Sequence, residues 1–136
     1  MRRMGRAGLA ALLLATALPA PRPAAADPVE GLWQTRPDDN GNFGHVRIAP
    51  CGAAFCGVLE RAFDGAGGQI ASPDLGRPIL WDLRALGGGA YGGGRIRAPD
   101  RGRTYVARLR LTDQGLAVEG CVLGICRQGG IWTRVP

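Results

Sequence analysis

The chain of 136 residues is long enough for one domain, and its 17 basic residues, all arginines, face 11 acidic residues for a formal net charge of +6. Four of those arginines lie in the first 26 residues, so the rest of the chain carries only a small positive excess, too little to indicate a nucleic-acid partner. Without lysine, and with one serine (Ser72) and one histidine (His45), the chain lacks the groups for Schiff-base chemistry or a three-histidine metal site, so we predict a protein that is not an enzyme and uses no cofactor and no metal.

The first 26 residues predict a secretory signal peptide. A basic start, Met1–Arg6, precedes an apolar run from Leu9 to Leu18, and prolines then lead to Ala24-Ala25-Ala26, the small residues of a cleavage site. The apolar run is too short to cross a bilayer, so a membrane anchor is the weaker interpretation. We expect cleavage after Ala26, a mature domain over residues 27–136 without a membrane span, and a periplasmic or secreted location. The choice between general and twin-arginine export stays open.

Short apolar stretches of period two predict that the mature domain is all-β. The clearest runs from Thr104 to Thr112. One face of that stretch holds Tyr105, Ala107, Leu109 and Leu111. Turn sequences recur between such stretches, which is typical of a sandwich or an up-and-down barrel. The predicted strands are 30–35, 43–50, 55–63, 79–84, 90–97, 103–112, 116–122 and 126–135, with a short helix over 78–84 as the best helical alternative.

The four cysteines occur as two pairs with identical spacing. Cys51 and Cys56 bracket one four-residue turn between predicted strands, and Cys121 and Cys126 bracket another. The ends of such turns lie near the separation that a disulfide needs, so of the three possible connectivities we predict these two local pairs. A four-cysteine zinc site is the alternative. It is disfavoured because zinc ribbons prefer two-residue gaps and an exported chain meets an oxidising compartment.

Two residues near the ends of the domain predict how a barrel would close. Trp33 lies in the first predicted strand and Arg134 in the last, and these strands are neighbours in a closed barrel. We therefore predict that the Arg134 guanidinium stacks on the Trp33 indole. The alternative is an ordinary core tryptophan and an unrelated surface arginine.

A series of short motifs follows in order along nearly the whole mature chain. They are Gly31-Leu32-Trp33, 46–52 (VRIAPCG), 55–59 (FCGVL), 77–81 (RPILW), 93–96 (GGRI), Thr104-Tyr105 with 108–111 (RLRL), and 131–135 (IWTRV). Their joint order resembles an exported bacterial family, the domain of unknown function 2147 (DUF2147). That resemblance implies an exported, lipocalin-like barrel. It implies no established activity and no catalytic residues.

We therefore expect an antiparallel up-and-down barrel of about eight strands that binds a small apolar or amphipathic ligand. A barrel of this size either fills with its own side chains or holds one small molecule. The residues predicted to line the interior are Val46, Ile48, Tyr105, Ala107, Leu109, Leu111, Leu116 and Val118. The alternative is a filled barrel that serves as a non-enzymatic interaction or envelope-associated module. A lined cavity open at one end favours the first hypothesis, and a packed interior with an exposed apolar patch favours the second.

Overall fold

The computed structural model describes residue 8, residues 10–22 and residues 25–136 of the chain. Part of the predicted signal peptide, including Arg2, Arg3, Arg6, Leu9 and Ala24, lies outside the described residues. Residues 10–22 are exposed and have no regular secondary structure. Across the described part of the chain, no helix has the length and apolar character needed to cross a bilayer.

Nine β-strands make up the described fold. They are β1 (Gly31–Gln34), β2 (Phe43–Cys51), β3 (Ala54–Phe63), β4 (Gln69–Ile70), β5 (Pro78–Gly87), β6 (Ala90–Ala98), β7 (Arg103–Thr112), β8 (Gly115–Val122) and β9 (Ile125–Arg134). The eight predicted strands are all present, and the short β4 is an addition. Strand β4 lies in the connection between β3 and β5 and pairs with the end of β3.

The helical alternative over 78–84 is wrong, because this stretch begins β5. Leu80 and Leu83 are both fully buried although they lie three residues apart, a spacing that imitates a helix. The backbone at Asp82 has a positive φ of 56°, which interrupts the alternation of the strand. Gly94 on β6 accommodates this irregularity, since a Cβ there would lie 2.2 Å from the carbonyl oxygen of Trp81.

The strands close into an antiparallel eight-stranded barrel. Leaving β4 aside, each strand pairs with the next along the chain, and β9 returns to β1 through Trp33–Arg134 and Gln34–Thr133. Short turns make most of the consecutive strands antiparallel neighbours, and the longer connections β1–β2 and β3–β5 join neighbours as well. Closure leaves none of these eight strands with a free edge, which removes a template for edge-to-edge aggregation. The predicted fold class is confirmed.

The turns between the strands define the two ends of the barrel. The turns of β2–β3, β5–β6 and β7–β8 lie at what we call the closed end. The connections β1–β2, β3–β5, β6–β7 and β8–β9 surround the other end, which we call the open end.

The buried cluster includes Val29, Trp33, Val46, Ile48, Leu80, Leu83, Leu109, Leu116 and Trp132. Val29 precedes β1 and is fully buried, so the N-terminal segment takes part in the core.

Both predicted disulfides are present in the structure. Cys51 and Cys56 join the β2–β3 hairpin at the closed end, with 5.5 Å between their Cα atoms. Cys121 and Cys126 are directly paired residues of the β8–β9 hairpin at the open end, with 4.0 Å between Cα atoms. Because the two pairs lie at opposite ends of the barrel, they do not form the four-cysteine zinc site considered above.

Candidate functional site

The N-terminal segment is fastened across the closed end. The Trp33 indole Nε1 donates to the Val29 carbonyl at 2.8 Å. The Arg134 guanidinium donates to the carbonyls of Glu30 and Pro28 at 2.9 and 2.7 Å. Its Cζ lies 4.2 Å from the centre of the Trp33 ring, so the guanidinium stacks on the indole and also donates to two backbone carbonyls.

A hydrogen bond from a tyrosine also holds the N-terminal segment at the closed end. The Tyr91 hydroxyl donates to a carboxylate oxygen of Asp27. Burial raises the pKa of Tyr91 to about 12, and the hydrogen bond to Asp27 and the charge of Asp27 act in the same direction. The hydroxyl therefore stays protonated at neutral pH and remains a donor.

The open half of the barrel contains a cavity of about 840 Å³, a size typical of small-molecule sites. Its inner wall is apolar and includes Leu59, Ile79, Ile96, Tyr105, Val118 and Trp132. Several lining positions carry little or no side chain: Gly44, Ala62, Ala98, Gly120 and Gly129. The side chains of the open half thus leave a cavity, whereas Ile48, Leu83, Leu109 and Leu116, toward the closed end, are buried and do not line it.

Charged residues surround the mouth of the cavity. Five arginines and three aspartates are among its lining residues, an excess of two positive charges: Arg36, Arg97, Arg101, Arg103 and Arg127, and Asp38, Asp39 and Asp100. Arg97 pairs with the buried Asp74 at 3.3 Å, and Arg101 lies 3.8 Å from Asp100. Within the described residues, the other three arginines make no salt bridge. They are therefore available to an anionic group at the mouth.

The structure places the predicted lining residues at two depths. Tyr105 and Val118 lie on the cavity wall, and Val118 is also part of the buried cluster. The remaining six do not line this cavity: Val46, Ile48, Ala107, Leu109 and Leu116 belong to the buried cluster, and Leu111 packs against it. Alternation along a strand indicates which residues face inward. It does not indicate how far along the barrel axis they lie.

Three residues that line the cavity or its mouth, Arg103, Ile96 and Arg36, were not predicted from the sequence. Arg103 lies two positions before Tyr105 on the same alternating face, so extending that pattern by one step would have found it. Ile96 is the direct partner of Tyr105 on β6 and could be found only from the register. Arg36 follows β1, and its aliphatic stem lies against Gly130 of β9, a contact that no local pattern reveals.

Two titratable groups, His45 and Glu119, lie outside the cavity. Burial and the charge of Arg61 lower the pKa of His45, whose Nε2 lies 3.3 Å from the Gln34 side-chain oxygen. Glu119 lies beside Cys121 and Cys126, but these cysteines are joined in a disulfide and offer no thiolate to a metal.

A closed eight-stranded barrel with one fastened end and one open mouth is a lipocalin-like barrel. The structure is similar to that of protein HP1028 from Helicobacter pylori, which belongs to the lipocalin family. The TM-score is 0.64 at 20% sequence identity, over 79% of this chain and 83% of that chain. At this identity the similarity concerns the fold alone.

The chain belongs to the family of uncharacterized proteins conserved in bacteria, DUF2147, whose model matches residues 31–134. The family resemblance of the sequence motifs is therefore confirmed. No curated protein matches the chain.

Proposed function

We propose that this protein is a non-enzymatic binding protein that holds one small amphipathic molecule in the open half of its barrel. The observation that carries the proposal is the division of the interior. Ile48, Leu83, Leu109 and Leu116, toward the closed end, are buried and do not line the cavity, while the open half has an unfilled cavity of about 840 Å³ with an apolar wall. Burial of an apolar ligand against this wall is favourable because it removes apolar surface from water.

The charges at the mouth support a ligand with an acidic group. Its apolar part would contact Leu59, Ile96 and Trp132, and its carboxylate or phosphate would lie near Arg103 and Arg127. Guanidinium groups bind such anions through charge-assisted hydrogen bonds. A long-chain fatty acid is a suitable test ligand, and the corresponding alcohol is its uncharged control.

Filling the cavity is expected to abolish binding. Ile96 is partly exposed and lines the cavity, so Ile96→Trp places an indole in the ligand's space. We expect the affinity for a fluorescent apolar probe, N-phenylnaphthylamine, and for the fatty acid to fall by at least about tenfold. Fluorescence titration measures the probe, and competition measures the fatty acid.

The matched control is Val106→Trp on the outer face of β7, where Val106 pairs with the exposed Arg95. This variant should bind as the wild type does, and both variants should melt cooperatively. Equal binding by Ile96→Trp and Val106→Trp would place the probe elsewhere. If the wild type binds neither the probe nor a lipid-like ligand, the interaction-module hypothesis replaces this one.

We further propose that the protein works outside the cytoplasm, as a mature chain that begins at Asp27. The two disulfides fit an oxidising compartment. The Asp27 backbone nitrogen donates to the Glu30 carboxylate, and cleavage after Ala26 would turn this nitrogen into an α-ammonium group that forms an ion pair there.

The intact mass of the protein recovered after export tests this proposal. We expect the mass of residues 27–136 with two disulfides, because Ala24 and Ala26 occupy the positions that the processing enzyme reads. A mass that retains the apolar run Leu9–Leu18 would contradict it.

A further inference from the structure

The β8–β9 turn carries an exposed apolar tip at the mouth of the cavity. The tip, Val122–Ile125, is closed at its base by the Cys121–Cys126 disulfide. Leu123 is 97% exposed and Ile125 is 72% exposed, and both line the cavity entrance. A disulfide across adjacent strands holds this small apolar projection in a defined shape.

Leu123 is also in an unfavourable backbone conformation. It has a φ of 51° and Gly124 a φ of 79°, the pattern of a two-residue type I′ turn. Asparagine is preferred at the first of these positions, whereas a leucine there carries conformational strain. Because its side chain is exposed, folding gains almost nothing from it. A strained, exposed leucine is therefore a feature to be explained by contact with another molecule.

We propose that the tip inserts into the interface of an anionic phospholipid bilayer and brings the mouth of the barrel against it. Four residues are too few for a stable protein interface, which needs roughly 800 Å² from each partner. A bilayer interface, by contrast, accepts a small apolar wedge while charged residues stay at the headgroups. The partner is thus a lipid surface rather than a folded protein.

The arginines beside the tip complement negative headgroups. Arg127 lies on the same hairpin, Arg103 begins the neighbouring β7, and Arg36 follows β1 on the other side of β9. None of the three makes a salt bridge within the described residues. Of the aspartates at the mouth, Asp38 accepts hydrogen bonds from its own turn, Asp39 beside it is exposed, and Asp100 faces Arg101. Among the described residues of the mouth, three arginines without a salt bridge thus stand against two aspartates without one, Asp38 and Asp39, which leaves a small positive excess.

Vesicle co-sedimentation tests the proposal with residues 27–136, which contain every strand, the buried cluster and both disulfides. Vesicles of dioleoylphosphatidylglycerol should bind the protein, and vesicles of dioleoylphosphatidylcholine should bind it much more weakly. Added salt should weaken the first interaction because it screens the arginines. Arg103→Gln and Arg127→Gln should each reduce binding about fivefold. Arg110→Gln, on the outer face of β7, should not.

The decisive variant is Leu123→Asn, which removes the apolar side chain and suits the turn better. We expect vesicle binding to fall by about tenfold, while the melting temperature stays equal or rises. Leu86→Asn is the matched control, because Leu86 is 68% exposed at the closed end of the barrel. It should bind vesicles as the wild type does.

Three results would overturn the proposal: no wild-type binding to phosphatidylglycerol vesicles, unchanged binding by Leu123→Asn, or equal losses in Leu123→Asn and Leu86→Asn. The proposal stands apart from ligand binding in the cavity. Ile96→Trp should bind vesicles normally even though it loses the apolar probe, so failure of one proposal is distinguishable from failure of the other.

Discussion

Trp33→Ala is expected to lower the free energy of unfolding by about 3–5 kcal/mol, the range for a fully buried large aromatic side chain. The Trp33 indole is only 2% exposed. It donates to the Val29 carbonyl and lies beneath the Arg134 guanidinium. Truncation removes these contacts together and leaves a void where the first and last strands meet.

Chemical denaturation followed by circular dichroism measures the effect. Trp81→Ala is the matched control, since Trp81 is only partly buried and lies outside the buried cluster. Trp81→Ala should lower the free energy of unfolding clearly less than Trp33→Ala does. Equal losses in the two variants would contradict a special role for Trp33 at the closure of the barrel.

Arg134→Ala is expected to lower the free energy of unfolding by roughly 2–3 kcal/mol. This is the scale of hydrogen bonds made by a charged group together with a cation–π contact. Its guanidinium holds two backbone carbonyls of the N-terminal segment and covers the Trp33 ring. Gly31 makes room for this arrangement, because a Cβ there would lie 2.6 Å from Arg134 Nη1. The loss should therefore loosen the segment that fastens the closed end.

Arg134→Lys separates the contribution of the positive charge from that of the planar guanidinium geometry. An ammonium retains a positive charge over the ring, but it lacks the planar fork that reaches two carbonyls at once. We expect an intermediate loss of stability. Arg95→Ala, an exposed arginine on β6, is the control and should change the melting temperature little. If neither change at Arg134 alters the melting temperature, the seam between β1 and β9 does not depend on this residue.

The strands could be predicted from the sequence because they depend on local signals, whereas the choice of a closed barrel over a sandwich rested on the family resemblance. The alternation in Thr104–Thr112 indicates a strand with one inward face, and short turns make successive strands neighbours. The two cysteine pairs follow from the same logic, since each spans a single hairpin turn. Trp33 and Arg134 could be paired because a barrel of consecutive strands brings its two ends together.

The candidate site was less predictable, as two inward-facing residues demonstrate. Leu109 and Tyr105 share one face of β7, yet Leu109 lies in the buried cluster and Tyr105 on the cavity wall. Alternation determines the face of a strand. Depth along the barrel depends on the register between all eight strands, and no single stretch of sequence contains that information.

The sequence by itself thus determined an all-β chain, its disulfide-closed hairpins and its family. The tertiary structure alone decided that Val29 would be buried at the closed end, that residues from distant strands would surround an unfilled cavity in the open half, and that Arg36 and Arg103 would both lie at its mouth. The physical reason is that hairpin turns and strand alternation are properties of neighbouring residues. An unfilled cavity is a property of the summed side-chain volumes of all the strands that surround it.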